Sequence, residues 1–445
     1  MLPSTTKTKY LIIGNSAGGI GAAEAIREVD RQGRLVIVSD EPYPAYSRPL
    51  IAEYLAERRP LERMLFRPPD FYERHNIVAF LGRKVTRLYP DRQVVELDSG
   101  ERIRWQKLLL ATGGTPIVPP IEGADKKGVF TFTTFDDVKA INRYLDRKAR
   151  AVVIGGGLIG LSVTEALSRR GMEVTVVEMK ERILNVILDE TASALEEEML
   201  QQVGIKLMTG HTVAKISRGS RDKITGVILN DGTPIPGELV IVAIGVQPRM
   251  ELITNTGIEI NRGVVVDQYM ATSNSDIYAC GDVAEAYDIT YGECRLTPIW
   301  PNAYIGGRIA GFNMTGTPIE YPGGTAMNSL KYFGLDMVSA GMVTPLNDRY
   351  EVISHRTDNT YGKVILKDGL VVGLVFAGNI EKSGIIFNLI KNKIKVEGFK
   401  QALVAEDFGL ATLPKELWQP YLAVPSSALV SSAETNPVEE LATGE

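Results

Sequence analysis

The chain has 445 residues, too many for one compact core, and this length predicts about three domains. Hydrophobic and charged residues make up 44% and 23% of it, as in an ordinary soluble globular protein, and the formal net charge is −5. We expect no surface for nucleic acid or membrane, since no basic cluster occurs and no apolar run approaches the ~20 residues of a membrane span.

Cysteine and histidine are too few and too scattered for most metal chemistry. The two cysteines, Cys280 and Cys294, form no C-x-x-C pair, and their number excludes an iron–sulfur cluster held by four cysteines of this chain. The three histidines, His75, His211 and His355, lie far apart in the sequence, which argues against a zinc site. We therefore expect no bound metal.

The first elements have the pattern of a dinucleotide-binding unit. The N-terminal residues lack the separate apolar core and cleavage site of a signal peptide, so we expect a cytoplasmic protein. An apolar strand at residues 10–13 runs into the sequence GNSAGG at residues 14–19, and a helix is expected next. Such a turn lets the backbone approach a pyrophosphate at the helix N-terminus. A second strand ends at Asp40, with Glu41 beside it, near the roughly 20-residue spacing of a carboxylate that binds a ribose hydroxyl.

A second copy of this pattern follows the first. The strand at residues 151–154 leads into GGGLIG at residues 155–160, and the next strand ends in Glu178. Each copy closes on a matching strand end, at residues 111–113 in the first and at Gly245 in the second. One glycine turn alone is often an ordinary strand-to-helix connection, whereas two matched copies predict two nucleotide sites and electron transfer between two cofactors.

The order of elements predicts an α/β fold in which the second Rossmann-like domain is inserted into the first. Strand-like segments after Tyr321, with a hairpin turn signal at Asp368-Gly369, predict a further α+β interface domain. The predicted boundaries are 1–112 with 246–320 for the first domain, 113–245 for the second, 321–400 for the third, 401–424 for a partner or dimer arm, and 425–445 for a flexible acidic tail.

Residues 272–284, which include Cys280-Gly281-Asp282, complete a set of motifs that resembles the pyridine nucleotide-disulfide oxidoreductase superfamily of two-dinucleotide flavoproteins. The loop at residues 45–50 is similar to that of the rubredoxin and ferredoxin reductase-like branch and of the flavoprotein part of NADH-dependent nitrite reductases. Another branch carries a redox cysteine in about this loop, and the loop here has none. The resemblance thus implies FAD in the first domain, NAD in the second, and no thiol chemistry.

The same resemblance implies the residues that bind the cofactors. Gly14, Ser16, Gly19 and Asp40 would bind FAD, and Asp282 would accept a hydrogen bond from the ribityl chain. Glu178 should favour NADH over NADPH, because a carboxylate accepts a ribose 2′-hydroxyl and repels a 2′-phosphate. The full implied set is Gly14, Ser16, Ala17, Gly18, Gly19, Asp40, Glu41, Arg48, Pro49, Val85, Ala111, Thr112, Gly113, Gly155, Gly157, Leu158, Ile159, Gly160, Glu178, Gly245, Gly281 and Asp282.

Three further residues are candidates for positions beside the flavin. Members of this branch often place a lysine and a glutamate there as an ion pair, and Glu53 and Ser162 stand in those places. An acid in place of the cation should lower the flavin potential, unless a one-turn slip puts Glu53 on a solvent face. Trp300 falls where related flavoproteins begin a helix at the flavin edge, and it would either shield the ring or belong to the core.

The expected reaction needs no acid, base or nucleophile from the protein. NADH would give a hydride to flavin N5, and single electrons would pass, in either direction, between the flavin and an iron–sulfur or rubredoxin/ferredoxin-type protein or subunit. Two alternatives stay open: an NADH oxidase or quinone-type reductase with a diffusible acceptor, and a non-catalytic flavoprotein sensor or assembly subunit. A homodimer and a hetero-oligomer are both compatible with the sequence.

Overall fold

The computed structural model describes residues 5–145, 150–219 and 223–422.

Two separated parts of the chain build the first parallel sheet. Runs of Leu, Ile and Val form strands buried on both faces, as in parallel sheets covered by helices. The sheet has the order β20-β8-β2-β3-β4. Its strands are β2 (Tyr10–Ile13), β3 (Leu35–Ser39), β4 (Ile77–Leu81), β8 (Lys107–Leu110) and β20 (Ile277–Ala279).

The neighbouring elements of this first unit are helices and two small sheets. One sheet has the order β1-β7-β6-β5 and the other the order β19-β21-β22. The strands are β1 (Thr5–Lys7), β5 (Val85–Tyr89), β6 (Val94–Leu97), β7 (Arg102–Arg104), β19 (Val264–Val265), β21 (Ala284–Asp288) and β22 (Glu293–Leu296). The helices are α1 (Ala17–Val29), α2 (Ile51–Leu55), α3 (Phe71–Arg74) and α7 (Trp300–Met314).

Between β8 and β20 the chain forms a second unit with its own parallel sheet, of order β10-β17-β11-β12-β13, beside a three-stranded sheet of order β14-β15-β16. The strands are β10 (Val129–Phe130), β11 (Arg150–Ile154), β12 (Glu173–Glu178), β13 (Lys206–Thr209), β14 (Val213–Arg218), β15 (Ile224–Leu229), β16 (Pro234–Pro236) and β17 (Leu239–Val242). The helices are α4 (Phe135–Tyr144), α5 (Leu158–Arg169) and α6 (Glu190–Gln202). The chain passes between the two units twice. The two connecting segments form the strands β9 (Gly114–Pro116) and β18 (Val246–Pro248), which pair antiparallel. The sheets therefore confirm the predicted inserted Rossmann-like fold.

Residues 42–69, which follow β3 and are rich in proline and arginine, contact both units. Tyr46, Leu55 and Met64 come from this stretch, yet they are buried in one apolar cluster with Phe135 and Val138 of α4. Arg170, at the end of α5, donates a hydrogen bond to the carbonyl oxygen of Leu55 at 3.0 Å. A segment of the first unit thus belongs to the core of the second.

A five-stranded antiparallel sheet of order β23-β24-β27-β26-β25 forms the C-terminal domain. Asp368 and Gly369 connect its strands β26 and β27 with φ values of +52° and +77°, the left-handed conformation that a tight hairpin turn needs. The strands are β23 (Met327–Tyr332), β24 (Leu335–Gly341), β25 (Glu351–Arg356), β26 (Tyr361–Lys367) and β27 (Leu370–Ala377), and the helices are α8 (Ser383–Lys391) and α9 (Lys415–Leu422).

The described part of the predicted arm packs on this C-terminal sheet. Leu403, Phe408 and Leu413 are buried in the cluster formed by the sheet and α8. The ammonium of Lys382 donates hydrogen bonds to the carbonyl oxygens of Val404 and Ala405, at 3.2 and 2.6 Å. This part of the predicted arm therefore lies against its own domain, and a contact of residues 401–424 with a partner or a second copy stays a prediction. The predicted tail at residues 425–445 lies outside the described residues.

None of the helices within the described ranges combines the length and the apolar character that crossing a membrane requires.

Candidate functional site

Both glycine-rich turns open into one cleft of about 1520 Å³ between the two units. Small-molecule sites usually measure roughly 300–1,000 Å³, so this cleft has room for two extended cofactors. The predicted residues that line it are Gly14, Ser16, Ala17, Gly18, Asp40, Glu41, Arg48, Pro49, Glu53, Ala111, Thr112, Gly113, Gly155, Gly157, Leu158, Ile159, Ser162, Glu178, Gly245, Gly281, Asp282 and Trp300.

The two turns have the same local geometry. Gly14 and Gly155 have φ values of +122° and +112°, and a Cβ atom on either would collide with the carbonyl oxygen of Ala111 or Ala243, the residue that follows the adjacent strand. The N-cap residues of α1 and α5, Ser16 and Gly157, make no side-chain capping bond. The first backbone N–H groups of both helices are therefore left to bind an anion such as a pyrophosphate.

Three predicted cofactor-binding residues do not line the cleft. A Cβ atom on Gly19 or Gly160 would collide with the carbonyl oxygen of Gly14 or Gly155, so these glycines let each helix pack against its own turn. Val85 is only 4% exposed and lies in β5 of the small antiparallel sheet. The structure shows a packing role for these residues, and their contact with a cofactor stays a prediction.

The carboxylates that end the second strands differ in their partners. Glu178 accepts hydrogen bonds from the backbone N–H groups of Gly156, at 2.6 Å, and Lys180, at 2.8 Å. Asp40 accepts one from Arg249 Nη1 at 2.9 Å. Glu41 forms an ion pair with Arg48 and accepts a hydrogen bond from the Tyr46 hydroxyl at 2.5 Å. The Glu41 carboxylate thus binds Tyr46 and Arg48 of the following loop. Asp40 is then the carboxylate at the rim of the cleft.

Arg48 connects its loop to the second unit by a hydrogen bond. Besides the ion pair with Glu41, its Nη1 donates a hydrogen bond to the carbonyl oxygen of Thr133 at 3.0 Å. The sequence could not show this contact, because Thr133 belongs to no motif and lies far along the chain. A loop closed in this way forms one wall of the cleft.

The segment that contains Asp282 enters the cleft from the first unit. Burial raises the pKa of Asp282, and the positive charge of Arg48 opposes this shift. Hydroxyl donors of a bound ligand would compensate the buried carboxylate. Burial also raises the pKa of the neighbouring Cys280 to about 12, with a further contribution from Asp282. Cys280 thus remains a thiol at neutral pH and supplies no nucleophile.

The three residues predicted to lie beside the flavin all line the cleft. Glu53 comes from α2, Ser162 from α5 and Trp300 from the first turn of α7. Glu53 has Arg58 Nη1 at 3.5 Å. Trp300 stacks edge-to-face on Phe66, with ring centroids 5.1 Å apart. Both side chains line the cleft, which argues against a purely solvent-facing Glu53 and a purely core Trp300.

Sequence reasoning missed two further residues that line the cleft. Tyr332 comes from β23 of the C-terminal sheet, and its hydroxyl donates a hydrogen bond to the carbonyl oxygen of Leu158 at 3.1 Å. Glu165 lies on α5 and accepts hydrogen bonds from Arg169 Nη2 at 2.7 Å and from the backbone N–H of Phe333 at 3.2 Å. The nearby glycine motif could have pointed to Glu165, whereas no local signal marks Tyr332.

Among the residues that the structure describes, no group of three or more His, Cys, Asp or Glu side chains could hold a metal ion.

The fold and the cleft define a two-dinucleotide oxidoreductase. Residues 8–305 match the family described as pyridine nucleotide-disulphide oxidoreductase, and residues 327–394 match the rubredoxin NAD+ reductase C-terminal domain. The chain belongs to the pyridine nucleotide-disulphide oxidoreductase family. It is an FAD-dependent oxidoreductase that uses NADH.

Similar proteins include subunits of larger enzymes. The chain is 31% identical, over 404 residues, to the NADH-dependent phenylglyoxylate dehydrogenase subunit epsilon of Aromatoleum evansii, covering 89% of this chain and 95% of that one. It is also 31% identical, over 407 residues, to the assimilatory nitrate reductase electron transfer subunit of Bacillus subtilis. That match covers 91% of this chain but 52% of the relative, so the chain spans about half of that protein's length.

A solved structure shares the fold over almost the whole chain. It is the crystal structure of a covalent putidaredoxin reductase–putidaredoxin complex, with a TM-score of 0.84 and 25% sequence identity, covering 94% of this chain and 99% of that one.

Proposed function

We propose that this protein carries electrons from NADH, through FAD, to a separate iron–sulfur or rubredoxin/ferredoxin-type protein or subunit. The observation that carries the proposal is the single cleft into which both uncapped helix N-termini open. FAD would place its pyrophosphate at α1 and its ribityl chain at Asp282. The nicotinamide dinucleotide would place its pyrophosphate at α5 and a ribose at Glu178.

The protein contributes position and electrostatics to this reaction. When bound, FAD accepts a hydride from NADH and releases electrons one at a time. Pro49, Leu158, Ile159 and Trp300 give the cleft apolar surface against which the two cofactors can be aligned. No side chain in this scheme acts as an acid, base or nucleophile, which agrees with the buried thiol of Cys280.

Glu53 gives the proposed flavin site an acidic neighbour. A negative charge near the ring opposes the added charge of the reduced cofactor and lowers its potential. Such a flavin suits a low-potential iron–sulfur acceptor. The same arrangement runs in reverse if the partner supplies electrons and NAD+ accepts them.

The comparisons support a protein partner. One relative is named as a subunit of an NADH-dependent dehydrogenase, and the solved structure with the same fold is a complex of a reductase with putidaredoxin. We infer that this chain likewise passes electrons to a second protein. We infer also that it forms a homodimer or belongs to a hetero-oligomer, and that it works in the cytoplasm.

Anaerobic mixing of the purified holoprotein with NADH tests the proposal. We expect rapid loss of the visible absorption of oxidised flavin, a much slower loss with NADPH, and slow reoxidation when air is admitted. Fast reoxidation in air would instead favour an oxidase with a diffusible acceptor. If FAD is bound and NADH causes no loss of absorption, the reductase assignment fails.

A further inference from the structure

Arg249 belongs to none of the sequence motifs, yet it contacts residues on both sides of the first glycine-rich turn. It directly follows β18, the second connecting segment between the units. Its backbone is fixed to the first connecting segment. The Arg249 N–H donates a hydrogen bond to the carbonyl oxygen of Gly113 at 3.0 Å, and the Thr112 hydroxyl donates one to the carbonyl oxygen of Arg249 at 3.2 Å. The Arg249 side chain therefore starts from a fixed point beside the end of β8.

The sheet order places the contacts of Arg249 on opposite sides of that turn. The strands β8 and β3 flank β2, and all three run parallel, so their carboxyl ends lie at one edge of the sheet. Thr112 follows β8, Asp40 follows β3, and Gly14 opens the turn after β2. Arg249 Nη1 donates a hydrogen bond to Asp40 Oδ2 at 2.9 Å. The Arg249 side chain thus extends from the β8 side to the β3 side, across the carboxyl end of β2.

The guanidinium of Arg249 lies at an edge that is suited to an anion. Ser16 makes no side-chain capping bond at the start of α1, so the first N–H groups of this helix are available there. Arg249, Asp40 and Gly14 all line the cleft. The bond to Asp40 uses one of the five N–H donors of the guanidinium, and Nε and Nη2 bind no acceptor within the described ranges. Donors of this cation are therefore available to a ligand in the cleft.

The ion pair of Arg249 and Asp40 has little effect on the stability of the protein alone. Their side chains are 30% and 41% exposed, and an ion pair so open to water contributes little to folding. A ligand that covers the pair excludes water and strengthens each hydrogen bond that the two side chains make. The main effect of this arrangement therefore arises when the cleft is occupied.

We propose that Arg249 makes the first site specific for a flavin that carries an adenosine diphosphate half. Its Nη1 orients the Asp40 carboxylate toward the ribose hydroxyls, and its other donors bind oxygens of the diphosphate at α1. Arginine suits this role because its planar fork can bind a carboxylate and a phosphate at the same time. FMN lacks the adenosine and one of the two phosphates, so Arg249 adds little to its binding. This inference rests on the proposed function, because it needs the FAD pyrophosphate to lie at α1.

Ligand binding to the FAD-free protein tests this role without any redox step. The test variant is Arg249→Met, and the control is Arg262→Met, the same change at an exposed residue of the same unit. Excess NAD+ fills the second nucleotide site. We expect Arg249→Met to bind FAD and ADP about 10- to 100-fold more weakly, because charge-assisted hydrogen bonds are lost, and to bind FMN as before. The control should bind all three ligands like the unchanged protein. Unchanged FAD affinity in Arg249→Met, or an equal loss for FAD and FMN, would overturn the proposal.

Two further measurements separate ligand binding from folding. The thermal midpoint of FAD-free Arg249→Met should equal that of the unchanged protein, whereas added FAD should raise it less. If Arg249→Met does not fold, Arg249→Lys serves instead: it keeps the charge without the fork, so FAD should bind more weakly and FMN as before, and unchanged FAD binding would contradict the proposal. None of these measurements involves NADH, so a bound flavin that NADH fails to reduce counts against the proposed function alone.

Discussion

At the residue scale, the negative charge of Glu53 should lower the midpoint potential of a flavin bound at the proposed site. Its carboxylate lines the cleft with 32% of its side chain exposed, and the ion pair that it forms with Arg58, at 3.5 Å, is long. A charge in this position is partly screened by water, so its effect on a nearby cofactor is moderate.

Replacing Glu53 by lysine should raise the flavin midpoint potential, because a cation stabilises the reduced, negatively charged cofactor. We expect a rise of roughly 30 mV, which is about 1.4 kcal/mol for a two-electron couple. Redox titration against a reference dye measures the shift, and Glu53→Gln should fall between the two proteins. Glu62→Lys makes the same change at an exposed residue outside the cleft. Equal shifts for the two lysine variants would place Glu53 away from the flavin.

At the scale of elements, local sequence patterns were enough to predict the nucleotide-binding turns. The strand, glycine turn and helix lie within about 20 residues, so the positive φ of Gly14 and the start of α1 could be predicted from the sequence. The hairpin at Asp368-Gly369 could be predicted for the same reason. In each case the signal that predicts the geometry lies in neighbouring residues.

Contacts between distant segments could not be predicted in this way. The core position of Tyr46, the hydrogen bond from Arg48 to Thr133 and the place of Tyr332 in the cleft all join elements far apart in sequence. The packing of residues 401–418 on the C-terminal sheet is another example, since an apolar segment that ends in Trp418 fits a partner surface and its own domain equally well.

Lys382 fixes that C-terminal segment to its domain. It donates to two backbone carbonyls and lies 5.2 Å from the centre of the Phe376 ring. Lys382→Met keeps the length of the side chain but leaves both carbonyls without this donor, at a cost of about 1–3 kcal/mol. Hydrogen exchange at residues 400–413 should accelerate accordingly, while flavin reduction by NADH stays unchanged. Lys391→Met, at an exposed position of α8, is the control. Unchanged protection in Lys382→Met would mean that apolar packing alone holds the segment.

At the scale of the whole molecule, the inserted unit is held on several sides. The stretch at residues 42–65 contributes side chains to its core, and β9 and β18 pair its two crossings. On the C-terminal side, Asp189 forms a buried ion pair with Lys363 and accepts a hydrogen bond from the Tyr361 hydroxyl at 2.6 Å. Asp189 also caps α6 by accepting a hydrogen bond from Ala192 N. These contacts oppose a large rotation of one unit against the other, so both cofactors would bind to a cleft that is already formed.

The pair of Asp189 and Lys363 gives a direct test of this coupling, since their side chains are only 13% and 7% exposed. Lys363→Met leaves a buried, unpaired carboxylate and should cost roughly 3–5 kcal/mol of local stability. Asp189→Asn in addition removes that charge while asparagine still caps the helix, so the double variant should recover a large part of the loss. Native-state hydrogen exchange in α6 and β26 measures both effects, because each reports local opening. If the losses of the two single variants simply add, the ion pair does not hold the inserted unit, and the hydrogen bond from Tyr361 and the apolar contacts must do so.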